Sequence, residues 1–366
     1  MSNYFSQSIG YLALESGQVF TGYHFGCKGM QAGELVFNTS MTGYQEILTD
    51  PSYARQIVTM TYPEIGNYGC CDKFAESSKV MASGLVIKNL SNEFSNFQAK
   101  ESIDDYLNKN KVTGLYNVDT RALTRHIRDS GAMRAIISDN SLSKEELVNL
   151  AKQSQSMLGM DLTGIVSRRQ VNHIQSGRYK IAVMDYGIKN SILTNLQKFD
   201  FDITVFPSDS KFDEIAKINP DAFVLSNGPG DPASNKSIIA EVKKIVATQK
   251  PVLAICLGHQ LCALALGAKT YKLKFGHRGG NQPVKNLLTN QVLITAHNHG
   301  FAVDKDTLPN FLRPSYVNLN DDSLEGFMHK DLPVNCVQFH PEASPGPDDA
   351  LFMFQEFYNV VKLKYS

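Results

Sequence analysis

Six cysteines occur in this 366-residue chain, Cys27, Cys70, Cys71, Cys256, Cys262 and Cys336, and none forms a Cys-x-x-Cys pair or a regular framework. They are expected to be reduced thiols in a cytoplasmic protein, with the adjacent Cys70 and Cys71 as two unrelated thiols in a loop and no metal site. Neither sign of charge is in excess: 36 basic and 36 acidic side chains give a formal net charge of +0. That balance argues against a nucleic-acid or anionic-membrane partner, since both need concentrated positive charge. The N-terminus, Met1 to Ser8, has no basic segment followed by an apolar one, so no secretory signal is expected. Internal repeats and low-complexity segments are also lacking. No Gly-x-x-x-x-Gly-Lys-Ser/Thr phosphate loop is present. The glycine-rich Phe275-Gly-His-Arg-Gly-Gly-Asn281 lacks both the lysine and a following helical pattern, and is expected to be a loop. The longest apolar run, Val252 to Ala268, approaches membrane-spanning length but is interrupted by His259, Gln260 and two glycines. A buried strand followed by a buried helix accounts for it better than a span.

What is present is an ordinary globular balance, 42% hydrophobic and 20% charged, in a chain long enough for two domains with a core each. The first half reads as strand-rich: Tyr11 to Leu14 and Val19-Phe20 flank a turn at Glu15-Ser-Gly-Gln18. Further strands are expected at Gly33 to Phe37, Gln56 to Met60 and Gly84 to Ile87. A helix carrying Leu123 and Ile127 is capped by Asp119 or Thr120 and ended by Gly131, and Ser143-Lys-Glu-Glu146 is a capping box. From Ser167 to Lys180 the chain turns polar, which places a linker there between an N-terminal domain, 1–170, and a C-terminal domain, 178–366. The second half alternates apolar strands at Ile181, Ile203, Ala222 and Val252 with amphipathic helices. That βαβ rhythm predicts an α/β domain, a doubly wound and mostly parallel sheet with helices on both faces.

In such sheets ligands sit beyond the carboxyl ends of the strands. Cys256 is at such an end, between Val252-Leu-Ala-Ile255 and a segment rich in helix formers. A thiol on that sharp turn has the N–H groups of a first helical turn aimed at it, which favours the thiolate. His340 and Glu342 flank Pro341, and two residues apart on an extended segment they face the same side. An imidazole takes the thiol proton and returns it to a leaving group, and a carboxylate fixes its tautomer. A third segment, Ser226-Asn-Gly-Pro-Gly-Asp-Pro232, ends another strand in a glycine-rich loop whose N–H groups, with that of Leu257, can donate to an oxyanion. His297 and His299 compete for the base role and form a His-x-His pair, but the sequence offers them no third ligand and reads as a polar loop. His259, at a helix start, points away from where a base is needed.

Ser-Asn-Gly-Pro-Gly-Asp-Pro, Cys-Leu-Gly-His-Gln and His-Pro-Glu-Ala, in this order, resemble the motifs of class I glutamine amidotransferases with a Cys-His-Glu triad. Phe37 to Tyr53, Ile57 to Asn67 and Asn298-His-Gly-Phe-Ala-Val303 narrow the resemblance to the small, glutamine-hydrolysing subunit of carbamoyl phosphate synthetase. It runs from about Gly10 to the C-terminus. The resemblance implies that Cys256, His340 and Glu342 are catalytic. It implies that Gly228, Gly230, Leu257, Gln260, Asn298, Gly300 and Phe301 hold glutamine, joined by Ser40 from the first domain. It further implies a separate large subunit that carries the ATP and divalent-metal sites, no cofactor in this chain, and a place in arginine and pyrimidine biosynthesis. Two other readings stand beside it: a free-standing cysteine hydrolase on the same fold, and a non-catalytic scaffolding or regulatory subunit.

Overall fold

The computed structural model of the protein describes residues 8–139 and 141–366. The segment that bears on a secretory signal lies outside the described residues apart from Ser8. The chain divides into two compact units, Met1–Met157 and Leu158–Ser366.

In the first unit seven strands close into a barrel. Around it run Ile9–Leu14, Val19–Gly26, Thr113–Tyr116, Gly84–Val86, Gln56–Met60, Met30–Asn38 and Met133–Asp139, which returns to the first. The Glu15 to Gln18 turn joins an antiparallel pair, with Leu12 opposite Phe20. Closure removes the exposed edges that an open sheet would carry. All five residues of Gln56–Met60 are buried, as expected for a strand paired in parallel on both sides and covered on both faces. The helix Thr120–Ser130 begins where the Asp119 side chain accepts from Ala122 N and ends at Gly131, and both hydrogen bonds of the Ser143/Glu146 capping box are present. Ser40 follows the Met30–Asn38 strand; it is buried, and its N–H donates to Asn38 Oδ1 at 2.7 Å.

The second unit is α/β, built on one ten-stranded sheet. Its order is Asn172–Gln175, Phe201–Pro207, Tyr179–Asp185, Ala222–Leu225, Val252–Ile255, Val334–Val337, Leu324–His329, Leu312–Asn318, Thr270–Asn286 and Val292–Val303. The five from Phe201–Pro207 to Val334–Val337 pair in parallel; the rest are antiparallel. The period of two along each parallel strand supplies two cores. Ala182, Met184, Phe223, Leu225, Val252 and Ala254 meet the helices Lys236–Ala247 and Leu257–Ala265 on one face. Ile181, Val183, Val224, Leu253 and Ile255 meet Asn190–Leu196 and Phe352–Tyr365 on the other.

Three expectations change. The segment around His297 and His299, expected to be a polar loop, is part of the strand Val292–Val303 and both rings are buried, because cross-strand partners satisfy their polar atoms. The polar stretch from Ser167 to Lys180 is no free linker: Asn172–Gln175 is an edge strand paired antiparallel with Phe201–Pro207, and Arg168 pairs with Asp185 at 2.8 Å. An edge strand needs no apolar alternation when one side faces water, so its sequence reads as a loop. The units divide before it, after Met157. Likewise the glycine-rich 275–281 stretch is part of the long Thr270–Asn286 strand, whose pairing with Val292–Val303 shifts register twice, between Lys272 and His277 and between Gly279 and Gln282. Bulges of this kind use glycine and erase the alternation by which a strand is recognised. Val252 to Ala268 folds as the expected strand and helix, and among the described residues no helix is long and apolar enough to cross a membrane.

Gly258 sets how closely the Leu257–Ala265 helix approaches the sheet. A Cβ there would stand 2.3 Å from the carbonyl oxygen of Leu225. Gly258→Ala is therefore expected to force backbone apart and to destabilise the unit by about 1–3 kcal/mol. Thermal unfolding followed by circular dichroism checks this; an unchanged midpoint would show that the helix moves freely.

Candidate active site

Cys256 stands between its strand and its helix with φ 52° and ψ −103°. A non-glycine residue held there stores about 1–3 kcal/mol of strain, and the surroundings impose it. Its N–H donates to Val337 O at 2.8 Å, which ties the turn to the neighbouring parallel strand. The next N–H but one, that of Gly258, donates to Ser226 O at 3.0 Å. The thiol is only 2% exposed. Its Sγ lies 3.7 Å from the carbonyl oxygen of Asn298, which accepts from it, and receives the Gln338 Nε2–H at 3.6 Å.

His340 follows the Val334–Val337 strand, and its N–H donates to Ala296 O at 2.8 Å. The ring is clamped from one side: Nδ1 and Glu342 Oε1 are 2.6 Å apart. Glu342 Oε1 also accepts from Lys189 Nζ at 3.0 Å, and Lys189 donates in addition to the carbonyl oxygen of Ala343. All three side chains are buried. Burial pulls the pKa of His340 down, but the Glu342 carboxylate and then the nearby Cys256 sulfur outweigh it and raise it to about 10. Glu342 is the converse case: burial raises its pKa, and the ammonium of Lys189 and the His340 ring lower it to about 2. Nδ1 thus carries a proton toward a permanent anion, and Nε2, buried and forming no closed hydrogen bond, is the nitrogen left to exchange a proton with a reacting group.

Glycine is dictated beside the residue that follows the nucleophile. A Cβ on Gly228 would meet Tyr186 O at 2.2 Å and Leu257 Cδ2 at 2.8 Å, and Gly230 has φ +97°. The Gly228 loop is therefore packed directly on the residue that follows the nucleophile. Leu257, at the first position of its helix, has no intrahelical acceptor for its N–H. Gln260 is buried, and its Nε2 donates to Phe301 O at 2.7 Å and to Gln338 Oε1 at 2.9 Å. Asn298, Gly300 and Phe301 lie on the Val292–Val303 strand. Within this unit Cys256 meets Asn298, Leu257 meets Gly228, and Gln260 meets Phe301, whereas Gly230 packs on Met160 and Leu162. Ser40 belongs to the other unit. His259 is fully buried against Phe327, with ring centroids 4.9 Å apart, and burial lowers its pKa to about 4, so it is no base.

Two residues of this site escaped sequence reasoning. Gln338 had a usable signal, since it sits two before His340 as Glu342 sits two after it. Lys189 had none: it lies 153 residues from Glu342, and only the parallel sheet brings the two together.

The sequence that builds this site has counterparts among known proteins. A family model described as carbamoyl-phosphate synthase small chain, CPSase domain, matches residues 12–137, and one described as glutamine amidotransferase class-I matches residues 182–360. The carbamoyl phosphate synthase small chain of Clostridium acetobutylicum is 48% identical, over 96% of this chain and 99% of its own length. That of Syntrophotalea carbinolica is 47% identical over 96% and 97%, and that of Aquifex aeolicus 46% over 96% and 98%. Likeness at this level over nearly the whole of both chains covers the barrel unit as well as the unit with the thiol, and it places this chain in the carbamoyl phosphate synthase small chain family.

Proposed function

We propose that the chain is the glutaminase subunit of carbamoyl phosphate synthase: it hydrolyses glutamine to glutamate and ammonia at Cys256 and passes the ammonia to a separate, ATP-dependent large subunit. The observation that carries this reading is the strained Cys256 turn beside an imidazole held by Glu342 at 2.6 Å. Its sheet is then the doubly wound sheet of class I amidotransferases, with the thiol beyond the carboxyl ends of the parallel strands.

The thiol proton of Cys256 passes to His340 Nε2, forming the imidazolium that the Glu342 carboxylate supports, and the sulfur attacks the side-chain amide carbon of glutamine. The N–H of Leu257 and one from the Gly228–Gly230 loop stabilise the resulting oxyanion; removing one such donor commonly costs about 3–4 kcal/mol. Collapse breaks the C–N bond, the proton on His340 goes to the departing nitrogen, and ammonia leaves a γ-glutamyl thioester on Cys256. Water then gives a proton to His340 and attacks the thioester carbon; glutamate departs and the thiol recovers its proton. Glu342 holds the imidazole throughout and balances its charge. Asn298, Gly300 and Phe301 present one strand to the amino acid, and Gln260 supports that strand through Phe301.

A glutamine-like diazoketone is expected to label Cys256 alone among the six thiols, read by peptide mapping. Label found mainly on Cys262, in the following helix, would overturn the assignment. The full-length match to small chains disfavours a free-standing hydrolase, and a pure scaffold has no use for the buried Lys189–Glu342–His340 chain.

A further inference from the structure

We propose that His277, His297, His299 and Glu325 form a closed, four-coordinate zinc site on the antiparallel side of the sheet. The sequence offered only the His-x-His pair and no third ligand; the fold supplies a third and a fourth. His277 and His299 are directly opposite across the Thr270–Asn286 and Val292–Val303 pair, and Glu325 comes from Leu324–His329. All four residues are buried, and one ligand atom from each lies within 4.8 Å of every other. His297 Nδ1 is 3.1 Å from His299 Nε2, His277 Nδ1 is 3.3 Å from Glu325 Oε1, and His297 Nδ1 is 3.6 Å from Glu325 Oε2. Tetrahedral zinc with bonds of 2.0–2.1 Å sets its ligand atoms about 3.3 Å apart.

The outer hydrogen bonds show why a cation is wanted. His299 Nδ1 faces the carbonyl oxygen of Phe301 at 2.9 Å, which can only accept, so the proton is on Nδ1 and Nε2 carries a lone pair. His277 Nε2 faces the Asp321 carboxylate at 2.8 Å, which leaves the lone pair of a neutral ring on Nδ1. Thr295 Oγ1 gives its single proton to Gln282 O and so accepts from His297 Nε2 at 2.8 Å, which leaves the lone pair on Nδ1. Glu325 Oε1 is itself held by Asn318 Nδ2 at 2.9 Å. The neutral rings of His297 and His299 and the Glu325 carboxylate therefore turn lone pairs inward, and His277 adds a fourth once its Nδ1 proton, which Glu325 draws toward itself, is displaced by the ion; His277 Nδ1 and Glu325 Oε2 are buried without a hydrogen-bond partner. Carboxylate, carbonyl and hydroxyl partners on the far ring nitrogens are what orient histidines on a metal. Three nitrogens and one oxygen in a buried tetrahedral set suit zinc, and with no fourth position open the ion is structural. It would clamp three strands on one side of the segment whose next residue, Asn298, lies against Cys256.

The test uses the full chain carrying Cys256→Ser, so that the thiol cannot compete, stripped with a chelator and titrated with zinc against a chromophoric chelator. One zinc per chain and a raised thermal midpoint are expected, with cobalt giving the intense visible bands of a tetrahedral site. His297→Gln and Glu325→Gln should each weaken zinc by at least about 100-fold, beyond the 10–100-fold typical of an outer-shell change. If either fails to fold by circular dichroism, Asp321→Asn, which alters only the partially exposed carboxylate behind His277, should weaken zinc by about 10-fold. Less than half an equivalent of zinc, an octahedral cobalt spectrum, or a stoichiometry and affinity untouched by these substitutions would overturn the site and leave a proton shared among the histidines in its place. None of these outcomes bears on glutamine hydrolysis.

Discussion

Cys256→Ser is expected to reduce glutamine hydrolysis on the order of 10⁶-fold, the scale seen when a nucleophile is removed from a triad hydrolase. The two side chains differ by one atom, and the site is otherwise preserved: the strained turn, the Val337 and Ser226 hydrogen bonds and the Gly228 packing involve backbone. What is lost is ionisation and nucleophilicity, since a hydroxyl beside imidazole is far harder to deprotonate than a thiol. The same variant assembled with the large subunit should still make carbamoyl phosphate from ammonia, because only the release of ammonia passes through Cys256. Glutamate release and carbamoyl phosphate formation, measured on the same preparation with glutamine or ammonium as nitrogen source, separate the two steps. Failure with ammonia in an assembled complex that still binds ATP would overturn the division of labour between the chains.

The parts of this site that the sequence made legible are those whose geometry is local. Val252 to Leu266 announces a strand, a sharp turn and a helix within fifteen residues, and the structure has them at Val252–Ile255, Cys256 and Leu257–Ala265. His340 and Glu342 meet at 2.6 Å not across the extended segment that the sequence suggested but in a turn closed by Ala343 N–H donating to His340 O, and the contact is still local enough to need no distant partner. Lys189 and the zinc-ligand set were not legible, because strand order and register bring them together. His277 reaches His299 only after the bulge between Lys272 and His277, and one residue of slip would turn it to the other face. The edge strand Asn172–Gln175 was hidden for another reason: half of it faces water, so a polar sequence satisfies it. Pattern reading sees which residues can share a face, whereas pairing decides which faces meet.

That distinction bears on His340, Glu342 and Lys189, whose variants should fail to different depths. His340→Asn removes the proton carrier and is expected to cost on the order of 10⁶-fold in hydrolysis, while Glu342→Gln leaves the ring but loses its tautomer and charge support, on the order of 10⁴-fold. The pH dependence gives the sharper test. His340 has its pKa raised to about 10, and the Glu342 carboxylate is the largest raising influence. The imidazolium that donates to the departing ammonia persists until pH climbs through that value, so the alkaline limb of kcat/KM should lie high. A neutral glutamine at position 342 withdraws the stabilising charge; His340 then loses its proton at lower pH, and the limb moves toward neutrality. Lys189→Met acts one step further back. The ammonium is the largest influence lowering the Glu342 pKa, so its loss raises that pKa, and at moderately acidic pH Glu342 protonates and behaves as the glutamine variant does. Lys189→Met should therefore resemble wild type more closely at high pH than at low, whereas Glu342→Gln should be impaired throughout. Rate profiles of the three variants against pH check this ordering. An alkaline limb unmoved by Glu342→Gln would mean that the carboxylate does not support the imidazolium, and near-wild-type rates for His340→Asn would remove that residue from the chemistry.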